Sequence, residues 1–166
     1  MNLTRARCLI LACGNTLRSD DGVGPWLAAW AQDRFRDEPG VHVVSRHQWT
    51  PELAQDVSSA ESVLFIDCSA ESAPGSVCVT EVEAASDAQA PATHHLGAQE
   101  LLAMAHKLYS SLPRAALLLT VGAGSLELGE RFSPPVLEAI PFACARVEEA
   151  VTRLASDPAS GIAARE

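Results

Sequence analysis

Positively charged and aromatic side chains are both scarce in this sequence of 166 residues. Lys and Arg together number 12 against 21 Asp and Glu, which gives a formal net charge of -9. A chain this acidic lacks the clustered cations that binding to a phosphate backbone requires, so no nucleic-acid partner is expected. Aromatic residues make up 5% of the chain, whereas hydrophobic residues make up 48%. The core must therefore consist mainly of Leu, Val and Ala.

Long apolar runs are missing as well. No segment approaches the ~20 apolar residues that a helix needs to cross a bilayer, so no membrane contact is expected. The apolar run at residues 8–13 is too short for a secretory signal peptide, and a first buried strand is the better interpretation. The five cysteines are odd in number and show no C-x-x-C spacing, which favours neither a zinc site nor a disulfide framework. We expect free thiols and a reducing, cytoplasmic location. Four of the thiols lie in strand-like apolar runs and are expected to be buried: Cys8, Cys13, Cys68 and Cys78.

Apolar runs of strand length alternate with amphipathic segments of helix length. The strand-like runs are residues 8–13, 41–45, 62–67, 76–82 and 115–122. The helix-like segments follow the glycine-rich loop after residue 22, begin at Thr50 and Pro51, span residues 96–112, and open at Ser133 and Pro134. This alternation predicts an α/β three-layer sandwich, in which a mostly parallel, twisted sheet of about five strands has helices on both faces.

Two further predictions concern the edge of the sheet and the bounds of the domain. Run 76–82 follows a short loop without a crossover helix, which predicts an antiparallel edge strand. Residues 1–156 are predicted to form one α/β domain, and residues 157–166 a flexible C-terminal tail.

The last predicted helix carries apolar residues at alternating steps of three and four: Leu137, Ile140, Cys144, Val147, Val151 and Leu154. Such a pattern is typical either of a coiled-coil seam or of a helix packed on its own sheet. Because it covers fewer than three heptads, packing on the sheet is favoured. Pro141 is predicted to kink the helix or to restart it.

The segment "GNTLRSDDGVG", residues 14–24, places two adjacent carboxylates in a glycine-rich loop after the first strand. Ionised Asp20 and Asp21 repel each other, so something must offset that repulsion. One possibility is that Ser19, Asp20 or Asp21 caps the helix that starts near Gly22. Capping explains one acid but not both. We expect Asp20 to cap the helix or to hydrogen-bond the loop, and Asp21 to meet a cation.

Further polar residues are predicted at the same edge of the sheet, where the carboxyl ends of the strands meet. Asp67 ends a fully apolar strand, and a buried carboxylate needs a partner: backbone N–H groups in a turn, or a bound cation. His94 and His95 precede the third helix, and at most one of them is expected to face the sheet edge. The other three histidines are expected to be solvated side chains: His42, His47 and His106.

Two carboxylates and one imidazole form a mixed oxygen and nitrogen set that suits Ni²⁺ or Zn²⁺. The sequence has no H-E-x-x-H motif, no G-x-S-x-G elbow, and neither a dinucleotide fingerprint nor a Walker loop. Spacing alone therefore indicates a metal site only weakly. A non-hydrolytic nickel-binding chaperone or metal-sensing module remains open, as does a nucleotide-binding domain, although two acids oppose phosphate at that loop.

Four segments together resemble the hydrogenase maturation proteases, the endopeptidases that process the large subunit of [NiFe] hydrogenases. They are "GNTLRSDDGVGP" (14–25), "LFID" (64–67), "HHLG" (94–97) and "TVGAGSLELGERFSP" (120–134). The resemblance covers nearly the whole chain in the same order. Where many members carry an Asp-Gly-Gly-Thr loop, this chain reads "SRHQWTPELA" (45–54), which resembles the branch that serves cytosolic, NAD-linked hydrogenases. The segment "LELGERFSP" (126–134) resembles the same branch.

The resemblance implies a monomeric endopeptidase of the aspartic type that removes the C-terminal extension of the [NiFe] hydrogenase large-subunit precursor after nickel insertion. By position, the metal-contacting and catalytic triad of the family falls on Asp21, Asp67 and His94, and Asp20 becomes a neighbour rather than a ligand. The nickel is supplied by the substrate, and no organic cofactor is implied. Either the metal or Asp67 as a general base would activate the attacking water.

Overall fold

The computed structural model describes residues 6–86 and 96–156, and within them five strands and four α-helices alternate as predicted. The strands are β1 (Cys8–Cys13), β2 (Val41–Arg46), β3 (Ser62–Ser69), β4 (Val77–Glu81) and β5 (Ala115–Gly122). The helices are α1 (Val23–Arg34), α2 (Ala54–Ser59), α3 (Ala98–Tyr109) and α4 (Pro134–Ala155). Short 3-10 helices at Ser19–Gly22 and Pro51–Leu53 precede α1 and α2. The predicted tail, residues 157–166, lies outside the described residues.

The strands form one sheet in the order β2-β1-β3-β5-β4. In this order the first four strands, β2, β1, β3 and β5, are parallel to one another, and β4 pairs antiparallel with β5 at the edge. This confirms the mostly parallel sheet and the antiparallel edge strand. The neighbour of β4 is β5 rather than the preceding strand β3, because β1 and β5 already occupy both sides of β3.

Helices cover both faces of the sheet. Alternate residues of a strand point to opposite faces, so Ile10 packs with α1 and α4 while Leu9 packs with α2 and α3. All six residues of β1 are buried, as its continuous apolar sequence predicts. None of the helices within the described residues is long and apolar enough to cross a membrane.

Helix α4 differs from its prediction at the amino-terminal end. It runs without interruption through Pro141, so the predicted restart is wrong. Pro141 lies on the exposed face, where water can reach the carbonyl of Leu137 that loses its helical donor. The predicted apolar stripe is also wrong at its start, since Leu137 is 61% exposed and Val136 is buried instead. From Val147 onwards the predicted stripe is buried against the sheet.

The cysteines are all free, as predicted. Cys8 and Cys13 are buried and Cys68 is partly buried, but Cys78 is exposed. The prediction that Cys78 is buried is therefore wrong. Its strand, β4, has a neighbour on one side only, and its exposed and partly buried residues alternate.

Candidate functional site

A cleft of about 620 Å³ opens beyond the carboxyl ends of β1 and β3. These two strands are neighbours, yet the chain leaves β1 toward β2 on one side and leaves β3 toward the other side of the sheet. Such a switch point is where open α/β sheets bind ligands. Asp21 and Asp67, predicted from different segments, both line this cleft. The structure thus brings two of the three predicted site residues together.

Asp21 is held at the cleft by the tight return of the chain after β1. The backbone N–H of Asn15 donates to Asp21 Oδ2 at 2.7 Å. A Cβ atom at Gly14 would lie 1.9 Å from the carbonyl oxygen of Asp21, and one at Gly24 would lie 2.1 Å from that of Cys13. Only glycine permits these approaches, so both glycines are needed to pack the Asp21 segment against the end of β1.

Asp67 lies near the carboxyl end of β3, paired with Thr120 of β5. Its Oδ1 atom accepts a hydrogen bond from the backbone N–H of Cys68 at 2.8 Å and another from the thiol of Cys13 at 3.3 Å. The carboxylate therefore accepts a backbone N–H, which was one of the two partners expected from the sequence, while it also lines the cleft.

Burial and the negative charge of this cleft raise the pKa values of two thiols. Burial, followed by the charge of Asp67, its hydrogen bond and the charge of Asp21, raises the pKa of the Cys13 thiol. Burial and the charges of Asp21, Asp67 and Asp20 raise the pKa of Cys68 to about 12. Both thiols therefore stay protonated at neutral pH, and Cys13 remains a hydrogen-bond donor to Asp67. An acidic cleft of this kind attracts cations.

The adjacent acid, Asp20, has no access to the cleft because it is fully buried. Its Oδ2 atom accepts hydrogen bonds from the backbone N–H groups of Gly124 and Ser125, each at 2.8 Å, and from the hydroxyl of Ser133 at 2.7 Å. Its Oδ1 atom accepts the backbone N–H of Ser133 at 2.7 Å. Burial favours the neutral acid, but these four donors outweigh it and lower the pKa of Asp20.

The repulsion between the two acids is thus offset by separate sets of donors. Of the two roles expected for Asp20, capping of α1 is wrong, because Gly22 occupies the N-cap position and no side chain caps that helix. Hydrogen bonding to loop backbone is the role that the structure shows. Asp20 instead connects the loop of residues 14–24, called the acidic loop below, to the segment between β5 and α4. Ser133, the N-cap residue of α4, donates its hydroxyl hydrogen to Asp20. Asp21 turns toward the cleft.

The loop after β2 contributes a wall of the cleft; its position after the strand indicated this edge of the sheet for His47, but nothing in the sequence singled out Trp49. Trp49 lines the cleft, is 7% exposed and packs edge-on against Phe65 with ring centroids 5.2 Å apart. His47 is exposed, as predicted, but it also lines the cleft. The one available sequence cue was position, since this loop follows a parallel strand and ends at the same edge of the sheet.

The third predicted residue, His94, lies outside the described residues, as does His95. Leu96, two positions after His94, lines the cleft. Within residues 6–86 and 96–156, no group of three or more His, Cys, Asp or Glu side chains has an arrangement that could hold a metal ion.

A family model described as hydrogenase maturation protease matches residues 30–150. The chain belongs to the hydrogenase maturation protease family. The matched range contains Asp67 and His94, while Asp21 precedes it. Membership confirms the resemblance that the four sequence segments indicated.

Individual relatives agree with this membership. The hydrogenase expression/formation protein HoxM of Azotobacter vinelandii is 30% identical over 129 residues, which cover 75% of this chain and 62% of HoxM. The chain therefore spans less than two thirds of that relative. The solved [NiFe] hydrogenase maturation protease HybD of Thermococcus kodakarensis is 27% identical, with a TM-score of 0.63 over 87% of this chain and 98% of that one.

The fold is also that of the hydrogenase maturating endopeptidase HybD from E. coli. The TM-score is 0.71 over 89% of this chain and 93% of that one, at 21% identity. This likeness confirms the predicted α/β sandwich.

Proposed function

We propose that this chain is an endopeptidase that removes the C-terminal extension of a [NiFe] hydrogenase large-subunit precursor after nickel insertion. In this proposal Asp21, Asp67 and His94 contact the nickel, which arrives bound to the substrate. The observation that carries the proposal is that Asp21 and Asp67 line one cleft at the switch point of the sheet, in a member of the hydrogenase maturation protease family.

The position of Leu96 supports His94 as the third ligand. Leu96 lines the cleft, and His94 precedes it by two residues in the sequence, so we assign the third contact to His94. Two carboxylates and one imidazole suit Ni²⁺ and leave coordination positions for ligands from the precursor. The precursor would complete this set only when it carries the metal.

Nickel recognition would control cleavage by positioning the peptide to be cut. Alignment of a bound peptide with its attacking water is worth several kcal/mol of the barrier, on the order of 7–11 kcal/mol in the best cases. Asp67 is suited to receive the proton of that water, because Cys13 and Cys68 fix its Oδ1 atom beside the cleft. A water bound to the nickel is the other possible nucleophile, and its proton would also need a base in the cleft.

Single substitutions test the three roles on nickel-loaded precursor, with mass spectrometry to follow loss of the C-terminal segment. Asp21→Asn, Asp67→Asn and His94→Ala should each abolish cleavage and leave the unfolding midpoint within a few degrees of the parent. His95→Ala is the matched control and should retain activity. A greater loss of cleavage activity in His95→Ala than in His94→Ala would show that the wrong histidine of this pair is assigned as the ligand. Metal-dependent binding of the precursor without any loss of mass would indicate a nickel-binding chaperone instead.

The client and the setting are parts of the same proposal. The segments at residues 45–54 and 126–134 resemble the branch that serves cytosolic, NAD-linked hydrogenases, so a precursor of that class is the proposed substrate. Five free cysteines fit a reducing compartment, and we propose a monomer in the cytoplasm. Cleavage of precursors from different hydrogenase classes, compared by initial rate, tests the choice of client.

A further inference from the structure

Two loops beside the cleft are joined into one ordered ridge, residues 17–19 and 127–129. The backbone N–H of Ser19 donates to the carbonyl of Gly129 at 2.7 Å, and the N–H of Gly129 donates to the carbonyl of Leu17 at 2.9 Å. The Ser19 hydroxyl donates to the carbonyl of Glu127 at 2.9 Å. A parallel bridge between Arg18 and Gly129 completes the pairing. The backbone of the ridge is therefore held in place.

The ridge presents apolar side chains to solvent. The register of the bridge at Arg18 and Gly129 sets Leu17 beside Leu128 on the neighbouring loop. Leu17 is 53% exposed and Leu128 is 90% exposed. Single exposed leucines are common, but two adjacent ones on a hydrogen-bonded ridge form a patch, and such patches mark interaction sites. Packing among the described residues leaves both side chains uncovered.

The patch is continuous with the candidate active site. Arg18 and Leu126, on the same two loops, line the cleft that contains Asp21 and Asp67. On its other side the ridge borders a shallow hollow of about 240 Å³, lined by Ser19, Trp26 and Phe132 among others. Trp26 is 41% exposed. A folded protein whose chain end enters the cleft comes close to the residues that border it, and the ridge is one such border.

We propose that Leu17, Leu128 and Trp26 form a docking surface for an apolar part of the protein substrate, the body of the large-subunit precursor. This inference rests on the proposed function, because it takes the precursor as the chain that enters the cleft. The surface contributes binding to the folded substrate rather than chemistry. Its loss should therefore raise KM and leave kcat unchanged.

The test compares the double substitution Leu17→Ser and Leu128→Ser with Leu108→Ser. Leu108 is a matched control because it is 61% exposed on α3, which packs on the opposite face of the sheet from α1. For nickel-loaded precursor, the double variant should show a KM raised about tenfold, the equivalent of ~1.4 kcal/mol of binding, with kcat within about twofold of the parent. Leu108→Ser should match the parent. An unchanged KM in the double variant overturns the docking surface and leaves the proposed protease intact.

A binding titration separates the two proposals if cleavage fails. With nickel-free precursor, which the proposed protease does not cut and which lacks the metal that Asp67 would contact, the double variant should bind about tenfold more weakly than the parent. If the parent protein does not cleave, the proposed function fails, yet this titration still decides the docking surface. Equal affinities, or absence of binding in both proteins, overturn it. A parent that sediments as a dimer, with a monomeric double variant, would assign the patch to a second copy of the chain and also overturn the proposal.

Discussion

Replacement of Asp20 gives the most direct test of what holds the acidic loop in place. Its carboxylate is fully buried and accepts four hydrogen bonds from three residues. Two backbone N–H groups and one hydroxyl donate to Oδ2, and a third backbone N–H donates to Oδ1. Asp20→Ala leaves all four donors without their acceptor. A hydrogen bond to a charged group contributes roughly 1.5–3 kcal/mol, and water admitted to the gap recovers part of it. We therefore expect a loss of about 4 kcal/mol in the free energy of unfolding.

Asp20→Asn should cost less, because an amide preserves part of the geometry. The amide can keep its oxygen at the Oδ2 position, where it still accepts from Gly124, Ser125 and the Ser133 hydroxyl. Its NH₂ group then faces the backbone N–H of Ser133, donor against donor. One hydrogen bond and the charge are lost, so we expect a loss of about 2 kcal/mol. The order of stability is parent, then Asn, then Ala.

Urea unfolding followed by circular dichroism measures these differences, provided that the slope of the free energy of unfolding against urea concentration is the same in all variants. For a chain of this size, ~4 kcal/mol corresponds to a fall of roughly 10 °C in the unfolding midpoint. Asp37→Asn is the control, because Asp37 is an exposed acid outside the acidic loop. If Asp20→Ala is no less stable than this control, the hydrogen bonds to Asp20 contribute nothing and do not hold the acidic loop.

The same carboxylate predicts a dependence on pH. Its pKa is lower in the folded protein than the ordinary value of 3.8, so its contribution is complete above that value and is lost as the pH falls through the folded-state pKa. The stability difference between the parent and Asp20→Asn should be constant from about pH 6 to about pH 8 and shrink below about pH 4. A difference that grows on acidification would contradict the assignment of the charged form.

Two further predictions concern the close packing and the thiols. Gly14→Ala should lower the free energy of unfolding by at least about 2 kcal/mol and reduce activity, because the new Cβ would lie 1.9 Å from the carbonyl oxygen of Asp21. A variant that is as stable as the parent in urea unfolding and as active in the cleavage assay would contradict this. Iodoacetamide at neutral pH should modify exposed Cys78 first, as measured by peptide mass mapping. Cys8, whose pKa burial raises to about 11, and Cys13 should react far more slowly, and equal rates would show that these thiols are neither buried nor protonated.

Much of the fold could be predicted because the sheet is covered on both sides. Continuous apolar runs marked β1, β3 and β5 to within a few residues, and the glycine or proline residues between elements marked the turns. The sequence was misleading where burial depends on which side of an element faces the sheet. Leu137 and Cys78 continue apolar patterns, but α4 turns Val136 rather than Leu137 toward the sheet, and β4 lies at the edge.

The site could be predicted only in part, for a related reason. An acid at the end of an apolar strand, as at Asp67, is conspicuous in a sequence. The partners of Asp20 are not, because Gly124, Ser125 and Ser133 lie far along the chain and offer mainly backbone N–H groups, which every sequence contains. Trp49 was equally hidden, since a single aromatic residue in a polar loop has no periodic pattern.

We propose that the cleft beyond the carboxyl ends of β1 and β3 recognises nickel in a hydrogenase precursor before the precursor is cut. The measurement is the mass of the precursor after incubation with the protein, once with nickel inserted and once without. We predict that only the nickel-loaded precursor loses its C-terminal segment. Equal loss from both forms, or loss from the nickel-free form alone, would contradict this claim.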